Sequence, residues 1–136
     1  MKIYIAGPLF TVSDRKFLEE IDKLVKELGF ETYLPHRDGG IFKRSFGNSE
    51  IFFKKDSEAI NNLNIILAVL NGTDVDSGTA WEIGYAYSKG IKIIGFLDDT
   101  RKPSSDLLNP MIYNSLAKIF SNLEELKKYF LELKNE

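Results

Sequence analysis

Three carboxylates are candidates for chemistry. Glu82 stands in DVDSGTAWEIGYAYSKG, residues 74–90, with Asp76 at the entrance of the same stretch. Asp56 stands in FFKKDSEAINN, on the helical segment before the central strand. Two carboxylates at a loop-to-helix junction can divide the labour of a displacement. One stays ionised as a nucleophile and the other handles the proton of the leaving group. Plainer readings stand beside this one. Thr79 and Glu82 have the spacing of a capping box, Asp76 suits an Asx-turn or N-cap, and Asp56 suits an exposed helix face. A helix beginning at Ser77 or Thr79 puts Glu82 in its first turn, where the positive end of the helix dipole favours a carboxylate. Gly78 and Gly84 remove side chains beside Glu82 and leave room for a ligand.

The opening run KIYIAGPLF adds further candidates. Gly7, before Pro8, lets a ligand rest on backbone N–H groups. Tyr4 either projects its hydroxyl toward the mouth of a site or is a half-buried strand residue. Phe10 either stacks on a planar base or packs in the core, with core the favoured reading. In LPHRDGG the lone histidine, His36, reads as a loop residue, and Arg37 and Asp38 can contact a base edge. Asn109, before Pro110, reads as turn chemistry.

These residues need a frame. KIYIAG, FETYLP, NIILAVLNG, IKIIGFL and AKIF read as strands, the third and fourth apolar enough to be buried on both faces. Between them lie helical patterns. SDRKFLEEIDKLVKELG takes Ser13 as N-cap and Gly29 as its stop, SEIFFKKDSEAINNL takes Ser49, and SNLEELKKYFLELKN takes Ser121. HRDGGIFKRSFGNS and DDTRKPSSDLLNPMIYNSL read as long loops, the second with a helical turn near Asp106. Alternation of strand and helix predicts a parallel sheet with helices on both faces, and ligands in such folds bind beyond the carboxyl ends of the strands.

Bulk properties narrow the function. The 136 residues fit one domain, residues 1–136, and carry a net charge of −2, so no basic surface invites nucleic acid. There is no Cys and one His, which excludes thiolate catalysis and multi-His or Cys metal sites; neither a metal nor a cofactor is expected. The start does not read as a signal peptide, and no apolar run approaches the ~20 residues that span a bilayer. A cytoplasmic protein without membrane or nucleic-acid partners is expected.

IYIAGPLF, DVDSGTAWEIGYA, NPMIY and the position of Asp56 together resemble the nucleoside 2-deoxyribosyltransferase family, from Lys2 to about Tyr113. The resemblance implies a flavodoxin-like three-layer sandwich with a mostly parallel five-stranded sheet. It implies a double displacement on 2′-deoxynucleosides, in which Glu82 is the nucleophile and Tyr4 orients it. Asp56 and Asp76 contact the base and assist its protonation. Gly7, Pro8, Phe10, Asp38, Ser77, Gly78, Asn109 and Met111 complete the expected substrate-binding set. Asn109 matches a residue that a neighbouring subunit offers to the sugar 5′-hydroxyl, which implies a homo-oligomer.

The related 2′-deoxynucleoside 5′-phosphate N-hydrolases carry Ser near Asp76 and near Asn109. This chain departs from them at both places, which favours unphosphorylated nucleosides; Ser77, Arg37, Lys43 and Arg44 keep the phosphate reading open. A phosphoribohydrolase related to GTAWE and a ligand-sensing flavodoxin-like module are the other readings. The first lacks its usual Gly-Gly run. The second has neither an acidic pair nor a phosphate loop after strand one.

Overall fold

The computed structural model describes residues 1–40, 48–99 and 108–136. Five strands form one sheet: β1 (Lys2–Ala6), β2 (Glu31–Tyr33), β3 (Ile65–Val69), β4 (Lys92–Phe96) and β5 (Lys118–Phe120). Their order is β2-β1-β3-β4-β5, and every pairing is parallel, so "mostly parallel" becomes all-parallel among the described residues. Each residue of β3 is buried, as its unbroken IILAV requires of a central strand covered on both sides.

Helices α1 (Val12–Glu27) and α5 (Leu123–Lys134) cover one face, packing Leu18, Ile21, Val25, Leu126 and Phe130 against Ile3, Ile5 and Leu67. The other face carries α2 (Ser49–Asn61), α3 (Ser77–Ser88) and the short α4 (Pro110–Tyr113) over Tyr4, Ala6, Ile66 and Ala68. This is the flavodoxin-like three-layer arrangement. The chain leaves β1 toward β2 on one side and returns to β3 on the other, so a crevice opens beyond the ends of β1 and β3.

Helix starts differ from expectation by one or two residues. Thr11, not Ser13, caps α1, because Thr11 and Asp14 form a reciprocal capping box. Asn122, not Ser121, caps α5 through its bond from the Glu125 N–H, and α2 follows Asn48 rather than Ser49. Gly29 ends α1 as expected, at φ +95°, a conformation open to glycine. Two stretches read as loop hold helix. Pro35–Gly39 winds one π-helical turn, and Pro110–Tyr113 forms α4 behind an Asn109 cap. Lys43, Arg44 and the expected turn near Asp106 lie outside the described residues.

Candidate active site

The α3 helix begins one residue after Asp76. The Asp76 carboxylate is its N-cap, accepting from the Thr79 N–H and the Thr79 hydroxyl, both at 2.9 Å. No Thr79–Glu82 capping box forms, because Asp76 has taken the role. Although α3 begins at Ser77, as expected, Glu82 is its sixth residue and sits in the second turn rather than the first, where the helix dipole has largely faded. The same helical repeat sends Thr79, Ile83 and Ala86 into the core and turns Gly78 and Glu82, one turn apart, toward the crevice.

That crevice is a cavity of about 610 Å³, within the usual range for small-molecule sites. Glu82, Asp56 and Asp76 all line it. So do Gly7, Phe10 and Gly78 from the expected set, together with Leu9, Arg15, Pro35, His36, Phe52, Phe53 and Trp81. The wall is mostly apolar, with the carboxylates as its concentrated charge.

Tyr4 is fully buried, and its hydroxyl donates to Glu82 Oε2. Burial, then the Glu82 and Asp56 charges, hold the Tyr4 phenol far above its ordinary range, so it remains a donor. Burial also pushes Glu82 up to about 8; the Tyr4 bond opposes that rise, while Asp56 and Asp76 add to it. Asp56 is raised for the same first reason, burial, against the Tyr33 hydrogen bond and Lys55. The site thus resists holding all its carboxylates ionised together, the condition under which one acid can carry a proton beside an ionised partner.

Several expected residues take other places. Phe10 is 75% exposed at the cavity rim rather than in the core. Gly7 does line the cavity, but its missing side chain serves packing: a Cβ there would come within 2.7 Å of Leu18 and 3.2 Å of Val69. Gly84 is absent from the cavity wall, and a Cβ on it would meet nothing within 4 Å. Pro8 borders a separate small hollow beside α1. Asp38 is absent from the cavity wall. It accepts from the Leu34 N–H and two Arg37 nitrogens, and the Arg37 bonds hold its carboxyl below the usual range. Ser77 is exposed and off the wall, and so are Asn109, the cap of α4, and Met111 on α4.

Sequence reading missed the aromatic part of the site. Phe53 and Trp81 meet edge to face at 5.3 Å, and Trp81 stacks on Tyr85. Their spacing along α2 and α3 looks like ordinary core, yet Phe53 is 60% exposed, and an exposed aromatic in an apolar cavity is a signal only structure supplies. His36 also lines the cavity, with Nε2 3.0 Å from Glu19 and a buried Nδ1 that has no hydrogen-bond partner among the described residues.

A family model described as nucleoside 2-deoxyribosyltransferase matches residues 3–123. The chain belongs to the nucleoside 2-deoxyribosyltransferase family. Among solved structures, a 2-deoxyribosyltransferase of Bacillus psychrosaccharolyticus is similar with TM-score 0.81 and 27% identity, over 95% of this chain and 92% of its own. A conserved protein of Enterococcus faecalis V583 has TM-score 0.81 at 25% identity, covering 97% and 98%. A CMP N-glycosidase of Clostridium botulinum shares the fold, with TM-score 0.61 at 21% identity over the full length of both chains. Among the described residues, no helix is long and apolar enough to cross a membrane.

Proposed function

We propose that this family member transfers the deoxyribosyl group of 2′-deoxynucleosides between nucleobases through a covalent bond to Glu82. The observation that carries the reading is one cavity wall that holds Glu82, hydrogen-bonded to buried Tyr4, together with Asp56 and Asp76.

In the first displacement a Glu82 oxygen bonds to the anomeric carbon as the C–N bond to the base breaks. The electron pair of that bond goes to the base nitrogen, which takes a proton from Asp56. The carboxylate stabilises the oxocarbenium character of the transition state, and the ester splits one hard step into two. In the second displacement the nitrogen of an incoming base attacks the same carbon. Glu82 leaves as carboxylate and Asp56 takes up the proton of the incoming base. Capture by water instead of base gives hydrolysis with the same residues. Asp76, fixed as the helix cap, adds negative charge at the sugar side and disfavours a 5′-phosphate within contact range. Asn109 and Met111, exposed on α4, are read as groups offered to the cavity of a neighbouring subunit, so the active form is a homo-oligomer acting on nucleosides and free bases. No metal or other cofactor enters this scheme.

The test is base exchange. Deoxyinosine or thymidine incubated with free adenine should yield deoxyadenosine. Free base alone, released from a deoxynucleoside 5′-monophosphate without acceptor, would instead assign the N-hydrolase reaction.

A further inference from the structure

Two acids on two different helices line one cavity, and each is bonded to a tyrosine of the sheet. Tyr4 and Tyr33 are register partners on the adjacent parallel strands β1 and β2. Their rings stack with centroids 5.1 Å apart and planes within 15°. Each hydroxyl binds one acid: Tyr4 donates to Glu82 on α3, and Tyr33 donates to Asp56 Oδ1 on α2 at 2.9 Å. Neither tyrosine lines the cavity. Neighbouring strands repeat at ~4.8 Å, and sites that work by double displacement hold their two carboxyl groups about 5–5.5 Å apart.

We infer that the stacked tyrosine pair transmits the strand spacing to the two acids, and that Tyr33 is a positioning residue for Asp56. With Oδ1 accepting from Tyr33, the carboxyl group cannot rotate freely, and a proton on its other oxygen points in a fixed direction. The turn Pro35–Gly39 closes over this bond. A Cβ on Gly39 would lie 2.6 Å from Asp56 Oδ1 and 3.0 Å from the Tyr33 hydroxyl, so only glycine lets the pair meet. Arg37 anchors the turn, donating to buried Asp22 at 2.8 Å, to the Thr32 carbonyl at 3.2 Å and to Asp38. The inference rests on Asp56 acting as the acid in the reaction proposed above.

The test compares two leaving groups. An ordinary 2′-deoxynucleoside needs a proton on its departing base; a 7-methylated purine 2′-deoxynucleoside does not. Asp56→Asn should lose on the order of 10²-fold or more in the single-turnover rate of base release with the first substrate and little with the second, as removal of a general acid requires. Tyr33→Phe keeps the stack and loses the hydroxyl. It should lose roughly tenfold in the single-turnover rate of base release with the ordinary substrate, with KM and base release from the methylated substrate changed by less than about twofold, because a misaimed acid forfeits part of its contribution.

Its alkaline pH limb should also move upward, since the Tyr33 bond favours ionised Asp56. The other groups acting on this cluster, Lys55 on α2, Glu82 on α3, Asp76 at its cap, Tyr4 on β1 and Asp38 in the Pro35–Gly39 turn, are unchanged in that variant. Gly39→Ala, which removes neither partner, should reproduce the leaving-group split if Tyr33→Phe folds poorly. Equal loss on both substrates, or no loss, in the Tyr33 and Gly39 variants would overturn the positioning role. No split in Asp56→Asn would overturn the acid reading itself and the inference with it.

Discussion

The two faces of β1 differ in a way that separates stability from chemistry. Ile3 and Ile5 point to α1 and α5; Tyr4 and Ala6 point to α2 and α3. All four are fully buried. The side chains packed on Ile3 and Ile5 are aliphatic and aromatic, and the buried acid of α1, Asp22, is paired with Thr32 and Arg37 off the cavity wall. On the second face a buried phenol requires an acceptor, and the acceptor is an acid at the edge of a cavity. Burial that is neutral in one direction therefore becomes, in the other, the cause of the raised Glu82 and Asp56. One strand supplies a stabilising face and a reactive face.

Substitutions should separate these faces. The largest effect belongs to Glu82→Ala, expected to cut turnover at least ~10³-fold with the protein still folded, as loss of a nucleophile acting within a unit does. Calorimetry and a turnover assay together check it. Leu18→Ala, on the opposite face, should cost about 2–5 kcal/mol of stability by leaving a cavity, while KM of the folded fraction stays unchanged. Thermal unfolding and steady-state kinetics decide whether the faces are as separate as described. Tyr4→Phe retains the ring stack but strips Glu82 of its donor; kcat should fall about ten- to hundredfold, and the acid limb of the rate profile should move up.

A subtler contrast is pH. Glu82 rises from 4.5 to about 8 on folding, so the native state binds the extra proton between those values. Its contribution is full below 4.5 and is lost as pH rises through about 8. Denaturant midpoints should decline over that window, and Glu82→Gln should flatten the decline. The smallest effect is Gly84→Ala, which fills open space on α3 and should add ~0.5–1 kcal/mol of stability. A loss instead would mean that a neighbour packs on that face of α3.

The aliphatic face was legible in the sequence, since Leu18, Ile21 and Val25 recur at helical spacing and IILAV runs unbroken. The carboxylates were legible as candidates because Asp-Ser-Gly-Thr is more polar than a plain core helix needs. Their partners were not. Tyr4 and Tyr33 meet only through strand register, which pairs residues far apart in the chain. Asp56 looked like a surface residue because its bond to Tyr33 crosses from helix to sheet. Gly7 lines the cavity, and its second role, making room for Leu18, was hidden because a missing side chain says nothing about which neighbour needs the room. Caps slipped by a residue or two wherever several Ser, Thr, Asn or Asp stood together, since any of them can accept the first free N–H groups.

The central claim is that the Glu82 carboxylate bonds to sugar. A 2′-deoxy-2′-fluoro nucleoside, which slows hydrolysis of the sugar ester, can trap the bond for mass spectrometry of the intact protein and its peptides. One fluorosugar per active site, mapped to Glu82 and released by added base, is the predicted result. An adduct on another side chain, or normal turnover with no adduct at any time, would contradict it.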